Sequence, residues 1–234
     1  MIICLETATN LCSVALCDSA GVISLRESNE SKSHASVLTL FIEEILKENG
    51  IRARDLEAIA VSKGPGSYTG LRIGVSVAKG IAYAASIPLI GIETTISMFW
   101  GISKSLKVSQ GSDNNPLFCP MLDARRMEVY YAIYDARGNT IKDISAEIIT
   151  AVSFKNIPDS QKIIFFGDGA AKCKEVIKRT YAHFDDDFRI SASHLHRPVF
   201  QALKDHRYED VAYFEPLYLK DFLTSKPRKN ILEK

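Results

Sequence analysis

The fold is decided by the stretch Lys63-Gly64-Pro65-Gly66-Ser67-Tyr68-Thr69-Gly70-Leu71-Arg72-Ile73-Gly74, which holds four of the thirteen glycines. An apolar run that predicts a strand, Ala58 to Ser62, precedes it, and a segment with the composition of a helix, Leu71 to Ala85, follows it. Glycine lets the backbone adopt positive φ and approach another surface closely, and a helix N-terminus favours anions. A strand, a glycine-rich turn and a helix in this order therefore predict either an anion cradle or a closely packed crossover.

The residues around these glycines decide against the common phosphate sites. Gly70 is followed by Leu71 and Arg72 rather than by Lys and Ser or Thr, so no side chain is placed for the β/γ-phosphates and magnesium. The glycine spacing also differs from that of dinucleotide-binding loops. Ser67 directly follows Gly66, which excludes the nucleophile elbow of hydrolases. We expect the loop mainly to set the helix for packing, with nucleotide contact as a minor, shared role.

Composition and charge exclude several classes of protein. The 234 residues are 46% hydrophobic and 24% charged, which is ordinary for a globular protein with a sizeable core. A net charge of +1 produces no field that points to nucleic acid or a membrane. No apolar run approaches the ~20 residues of a membrane span, and no cleavable signal is evident. The five cysteines show no C-x-x-C spacing, so we expect reduced, buried thiols and a cytoplasmic location.

The order of strands predicts two similar halves. Short polar turns join the three strands that open each half, which favours an antiparallel meander in both. The predicted opening strands are 2–5, 11–17 and 22–26 in the first half, and 117–123, 128–135 and 141 to 144 or 148 in the second. The polar stretch Ser109 to Pro116 predicts a boundary, with an N-terminal lobe of residues 1–108 and a shortened second lobe of residues 109–234. The chain is therefore predicted to be an α/β protein with a duplicated fold.

Several helices are predicted, and one of them is apolar on two sides. The predicted spans are 34–48, 71–85, 94–106, 172–181 and 192–204. In helix 71–85 the two apolar sides are Leu71, Val75, Ala78 and Ala82, and Ile73, Val77, Gly80 and Ala84. Helix 34–48 also carries Val37 and Leu40 outside its main stripe. Because such helices are buried on more than one side, two readings stay open: burial within one domain, or partial cover by a second protein.

Glu6 and Asp123 are the candidate chemical groups, because each carboxylate follows the first strand of its half. At equivalent strand ends they could face each other across a cleft and hold a hydrated metal ion. We favour the alternative, in which they bond the turn backbone or the neighbouring Arg125 and Arg126. The five histidines match no metal-ligand spacing, so no metal site is expected.

The loop from Gly64 to Gly74 resembles the hallmark of the TsaB family, also called YeaZ. Three further stretches resemble that family: Ile3-Cys4-Leu5-Glu6-Thr7-Ala8-Thr9, Met121-Leu122-Asp123-Ala124-Arg125-Arg126-Met127-Glu128-Val129-Tyr130 and Pro216-Leu217-Tyr218-Leu219. The match spreads over most of the chain, and the long loop motif is specific. The resemblance implies an actin-like ATPase (ASKHA) fold of two RNase H-like lobes, with mixed sheets flanked by helices. This agrees with the two similar halves.

The resemblance also implies a function. It implies a non-catalytic dimerisation and activation subunit of the complex that forms N6-threonylcarbamoyladenosine in tRNAs reading codons that begin with A. In that complex TsaD transfers threonylcarbamoyl from its adenylate to adenosine, and TsaE, an ATPase, completes the assembly. TsaB-like proteins pair with TsaD, or with themselves, through N-lobe helices.

The resemblance, together with the apolar sides of the two helices, implies a partner interface and a shared nucleotide contact. The implied interface residues are Val37, Leu40, Leu71, Ile73, Val77, Gly80 and Ala84. The implied shared nucleotide contacts are Glu6, Thr7, Gly66 and Ser67. The chain is expected to have no cofactor of its own, with ATP or ADP at the interface with TsaD, and to reach tRNA only through the complex.

Two departures from the family pattern bear on chemistry. The first turn usually carries Asp where this chain has Glu6. TsaD binds its metal partly through H-x-x-x-H, whereas His34 is followed four positions later by Leu38. Loss of that ligand pair argues against both a transferase and a protease. The competing hypothesis is an ASKHA-type ATP-binding enzyme that uses Glu6 and Asp123 with Mg-ATP.

Overall fold

The structure, a computed structural model, describes residues 1–29, 34–105 and 115–220. The predicted lobe boundary at 108/109 and the basic tail from Lys226 to Lys229 lie outside the described residues. Within the described ranges the chain forms two five-stranded sheets. Each sheet is the centre of one lobe.

The first sheet is mixed and has the order β3-β2-β1-β4-β5. Its strands are Ile2–Glu6 (β1), Cys12–Cys17 (β2), Val22–Ser28 (β3), Ala58–Gly64 (β4) and Leu89–Glu93 (β5). The meander β1-β2-β3 is antiparallel, and β4 and β5 add to β1 in parallel. Parallel strands need a crossover, which helices His34–Glu48 (α1) and Tyr68–Ala85 (α2) supply.

Both faces of the first sheet are covered by helices. Ile3 and Leu5 of β1 face the side that α1 and α2 cover, where Leu38 and Ile45 of α1 are completely buried. Because neighbouring residues of a strand point to opposite faces, Ile2 and Cys4 face the other side. There they pack against residues from near the end of the described chain, including Leu195, Val199 and Ala202.

The second sheet repeats the topology of the first. Its strands are Leu117–Asp123 (β6), Glu128–Tyr134 (β7), Thr140–Ile148 (β8), Ile163–Phe166 (β9) and Ala182–Asp185 (β10). Read from β8, the order is β8-β7-β6-β9-β10, which is the order of the first sheet with each strand replaced by its counterpart. The predicted duplication and the two-lobed fold are therefore confirmed.

The helices that follow each sheet cross to the other lobe. Thr94–Ser105 (α3), which follows β5, packs its Met98 and Phe99 against the second sheet. His196–Lys204 (α4), preceded by a short 3-10 helix at Ala192–Leu195, packs on the first sheet. The predicted division into 1–108 and 109–234 is thus wrong for 192–204, since the apolar face of this segment completes the core of the first lobe.

One predicted helix does not form. In 172–181 the structure has only a 3-10 turn, Ala171–Cys173, followed by irregular turns. A short isolated helix is marginal by itself, and tertiary bonds hold this segment instead. The Arg179 guanidinium donates to the carbonyl oxygens of Phe154 and Ile157, at 2.9 and 3.0 Å.

Candidate functional site

The glycine-rich stretch is part loop and part helix. Helix α2 begins at Tyr68 rather than at the predicted Leu71, and Ser67 is its N-cap. The Ser67 hydroxyl oxygen accepts a hydrogen bond from the Gly70 amide at 3.2 Å, which satisfies one of the free donors of the first turn. Gly70 and Gly74 are therefore helical residues, and both are buried.

These glycines pack directly on the turn that follows β1. A Cβ atom on Gly66 would lie 2.3 Å from the Ala8 carbonyl oxygen, and one on Gly70 would lie 2.1 Å from that of Thr7. A Cβ on Gly74 would lie 2.3 Å from the Thr7 hydroxyl oxygen. The Ser67 amide also donates to the Ala8 carbonyl at 2.6 Å. The space that the glycines leave is filled by the chain itself, so their role is packing.

Glu6, the last residue of β1, points to the face of the first sheet opposite α2 and is completely buried. Its Oε1 accepts hydrogen bonds from the Ala8 amide at 2.8 Å and the Ser62 hydroxyl at 2.7 Å. Burial raises the pKa of Glu6 to about 7, although these two hydrogen bonds act in the opposite direction. Glu6 and the equally buried Thr7 do not line the cleft between the lobes, whereas Gly66 and Ser67 do.

Asp123 is exposed on the other lobe and is already paired. Its carboxylate forms an ion pair with Lys172 and accepts a hydrogen bond from the Arg125 amide at 2.9 Å. The Asp123 amide donates to Asp168, whose pKa is raised by burial. Glu6 and Asp123 therefore do not form the facing pair that a shared magnesium ion requires. The preferred alternative, bonding to turn backbone, is confirmed, but the cation beside Asp123 is Lys172 rather than an arginine.

A cleft of about 510 Å³ separates the lobes, and we call it the interlobe cleft. Three parts of the chain line it: the turns of the first lobe, the ends of β6, β7 and β9, and the end of the described chain. Its lining residues are Ala8–Asn10, Pro65–Thr69, Leu122–Arg125, Tyr130, Asp168 and Leu217–Lys220.

The last described residues join the two lobes across this cleft. The Leu217 amide donates to the Lys63 carbonyl at 2.6 Å, and the ring of Tyr218 lies 5.0 Å from that of Tyr68. Lys220 then forms an ion pair with Glu128 of the second lobe. Nothing in the local sequence predicts this return, because it depends on partners more than ninety residues away.

A second concave surface, the α2 groove, lies on the outer surface of the first lobe and has a volume of about 430 Å³. It is lined by Ala35, Tyr68, Thr69, Arg72, Ile73, Ser76 and Val77. The Arg72 guanidinium lies 5.4 Å from the centre of the Tyr68 ring and bonds its hydroxyl. Sequence reasoning missed Tyr68, although its position four residues before Arg72 is a helical contact spacing.

The predicted interface residues differ in exposure. Gly80 and Ala84 are exposed, Leu40 is 49% exposed, and Val37, Ile73 and Val77 are half-buried. Leu71 is 1% exposed and belongs to the core, so its assignment to a partner surface was wrong. It lies on the side of α2 that packs on β4, with Val75 and Ala78.

No helix within residues 1–29, 34–105 and 115–220 is long and apolar enough to cross a membrane.

Comparison with known proteins gives consistent matches. Residues 26–223 match the family described as TsaD, tRNA N6-adenosine threonylcarbamoyltransferase. The chain is 33% identical to the Escherichia coli tRNA threonylcarbamoyladenosine biosynthesis protein TsaB over 140 residues, covering 60% of this chain and 57% of that protein. It is 30% identical to the Haemophilus influenzae protein of the same name over 131 residues, covering 56% and 52%. The matched region thus spans little more than half the length of these relatives.

The fold has a close counterpart among solved structures. YeaZ from Pseudomonas aeruginosa superposes with a TM-score of 0.78 at 22% identity, covering 93% of this chain and 99% of that one.

Two alanine substitutions on α2 test the packing role of the glycines. We expect Gly70→Ala to destabilise the protein by about 2–4 kcal/mol, because its Cβ would overlap the backbone at Thr7. Gly80→Ala, on the same helix with no atom within 4 Å of its Cβ, should instead stabilise by up to about 1 kcal/mol. Urea unfolding of both variants measures the difference, and effects of the same sign and size would contradict this packing.

Glu6 should make stability depend on pH. Its folded pKa of about 7 lies above the ordinary 4.5, so in that window the folded state holds a proton that the unfolded chain has released. Stability therefore falls as pH rises through the window, by about 1.4 kcal/mol per pH unit, and levels off above it. Glu6→Gln lacks this loss and should gain about 2–3 kcal/mol on the wild type between about pH 5 and about pH 8. The exposed Glu43→Gln is the matched control, and an equal pH profile for both variants would refute the assignment.

Proposed function

The chain belongs to the family described as TsaD and, within it, to the TsaB (YeaZ) proteins, and from this membership we propose that it is a non-catalytic subunit that binds and activates a TsaD transferase. The reaction served is the formation of N6-threonylcarbamoyladenosine in tRNA. TsaE is the third subunit of the proposed assembly.

The observation that carries this proposal is the second apolar side of α2. One side, including Leu71 and Val75, is buried against the first sheet. The other presents half-buried Ile73 and Val77 in the α2 groove. On the neighbouring helix α1, Ala35 lines the same groove and Leu40 is 49% exposed. Apolar surface on two adjacent helices favours a helical partner surface of similar chemistry.

The side chains at the candidate catalytic and metal-binding positions support a subunit that catalyses no reaction of its own. Leu38, four residues after His34, is completely buried, so it contributes to the core where a second imidazole would be needed. Glu6 is completely buried, and Asp123 is paired with Lys172. The competing ATP-dependent enzyme therefore loses both carboxylates on which it was based.

The residues of this chain do not fit a complete nucleotide site. Backbone atoms of Thr7 and Ala8 occupy the space beside the loop glycines, where a phosphate cradle would have to be. Any ATP or ADP of the assembly is therefore held mainly by TsaD, with Gly66 and Ser67 as the predicted contacts of this chain that line the cleft. In the absence of TsaD, the α2 groove is expected to pair with a second copy of this chain.

Glutamate substitutions in the α2 groove test the proposal. Ile73→Glu with Val77→Glu should abolish co-purification with TsaD, because charges buried without partners weaken an interface by about 2 kcal/mol or more each. The matched control is Val152→Glu, since Val152 is a 53% exposed valine of the second lobe. Circular dichroism should show a native fold in all variants. Retention of TsaD by the folded double variant would remove the α2 groove as the interface.

A further inference from the structure

The hairpin turn between β6 and β7 has an unusual backbone. Arg125 and Arg126 both lie in the left-handed region, with φ of +69° and +50°. Side chains adopt this region at an energetic cost, and Gly or Asn normally occupies such positions. The turn is held in place by the bond from the Arg125 amide to Asp123 and by one from the Glu128 amide to the Arg125 carbonyl. A strained turn with two exposed arginines points to a use for their side chains.

The guanidinium groups of Arg125 and Arg126 supply the positive charge that is available to a ligand near this turn. Lys172 is paired with Asp123, and Lys220 with Glu128. Within the part of the chain that the structure describes, neither Arg125 nor Arg126 has a side-chain hydrogen bond or ion pair. Both side chains are exposed. An anionic ligand could therefore bind them without breaking an existing pair.

Aromatic rings line the same cleft as Arg125. Tyr68 and Tyr218 are 37% and 40% exposed, and their ring centres lie 5.0 Å apart with the ring planes tilted by 34°. Tyr130 lies under Lys220, whose Nζ is 5.8 Å from the ring centre. All of these residues line the interlobe cleft. Cations and tyrosine rings from distant parts of the chain thus line the same cleft.

This combination fits one class of ligand. Guanidinium groups bind phosphates through paired hydrogen bonds, and exposed tyrosine rings stack on bases that are not paired in a duplex. An acidic protein segment would satisfy the arginines but would make no use of the rings. We propose that the mouth of the interlobe cleft binds a single-stranded segment of the substrate RNA, with Arg125 and Arg126 on its phosphates and Tyr218 on a base. This inference rests on the proposed function, which supplies the RNA.

The test measures RNA binding by the assembled complex of this chain with TsaD and TsaE. The probes are an unmodified tRNA transcript, a stem-loop RNA and a fully paired RNA duplex, each fluorescently labelled, with polyglutamate as the acidic-protein probe. The variants are Arg125→Gln with Arg126→Gln, Arg125→Gly with Arg126→Gly, and Tyr218→Leu. The glycine pair removes the charges and also relieves the left-handed backbone, so it guards against loss of folding. Arg137→Gln is the matched control, because Arg137 is an exposed arginine in the β7–β8 turn of the same sheet.

We expect both double variants to bind the tRNA and the stem-loop at least about tenfold more weakly, with the salt dependence of log K reduced by about 1.4, since two phosphate contacts are lost. Tyr218→Leu should weaken stem-loop binding by about tenfold with little change in salt dependence. Arg137→Gln should bind each RNA with the affinity of the wild type. The affinities of the variants should differ least for the fully paired duplex.

Three outcomes would overturn the inference. The first is unchanged affinity and salt dependence in both double variants. The second is loss of polyglutamate binding, or of TsaE from the complex, with RNA affinity intact, because the turn then serves a protein. The third is an equal loss of affinity for the stem-loop and for the duplex in Tyr218→Leu, since stacking on an unpaired base is then excluded. A wild-type chain that forms no complex with TsaD contradicts the proposed function separately, and RNA binding by the chain alone then decides this inference.

Discussion

The structure depends on the close contact between the turn after β1 and the start of α2. The carbonyl oxygens of Thr7 and Ala8 occupy the space in which Gly70 and Gly66 would otherwise carry side chains. This contact fixes the height and direction of α2 above the first sheet. On the opposite face of the same strand, Glu6 is completely buried, which raises the pKa of its carboxyl group. The loop has the composition of an anion-binding loop, but its glycines instead pack the start of α2 on the turn after β1.

The position of α2 links the two surfaces that we propose to be functional. Its inner side completes the core, its outer side forms the α2 groove, and its first residues line the interlobe cleft. Tyr68 belongs to both concave surfaces, and its ring contacts that of Tyr218 from the end of the described chain. The same helix therefore lies between the proposed transferase contact and the proposed RNA contact.

Local patterns predicted much of this fold. Short apolar runs joined by polar turns predicted the opening strands of both halves. Helix α1 was predicted with both of its ends, His34 and Glu48, because its apolar stripe and its end at Asn49-Gly50 lie in one short segment. Predictions failed where contacts between residues far apart in the sequence determine the local structure. Helix 172–181 is replaced by turns that Arg179 anchors to the 154–157 loop, and 192–204 crosses to the first lobe to cover Ile2 and Cys4. Of the predicted site residues, Gly66 and Ser67 line the interlobe cleft, whereas Leu71 lies in the core. The cluster of Arg125 and Tyr218 was not predicted, because it joins residues that are far apart in the sequence.

The most direct test of the central claim is a reconstituted tRNA modification assay with purified TsaD and TsaE, supplied with threonylcarbamoyl adenylate and unmodified tRNA, from which this chain is omitted and to which it is then restored. The account predicts N6-threonylcarbamoyladenosine only when the chain is present together with TsaD, and none from the chain alone. Modification at the full rate by TsaD and TsaE without this chain, or transfer catalysed by this chain without TsaD, would contradict it.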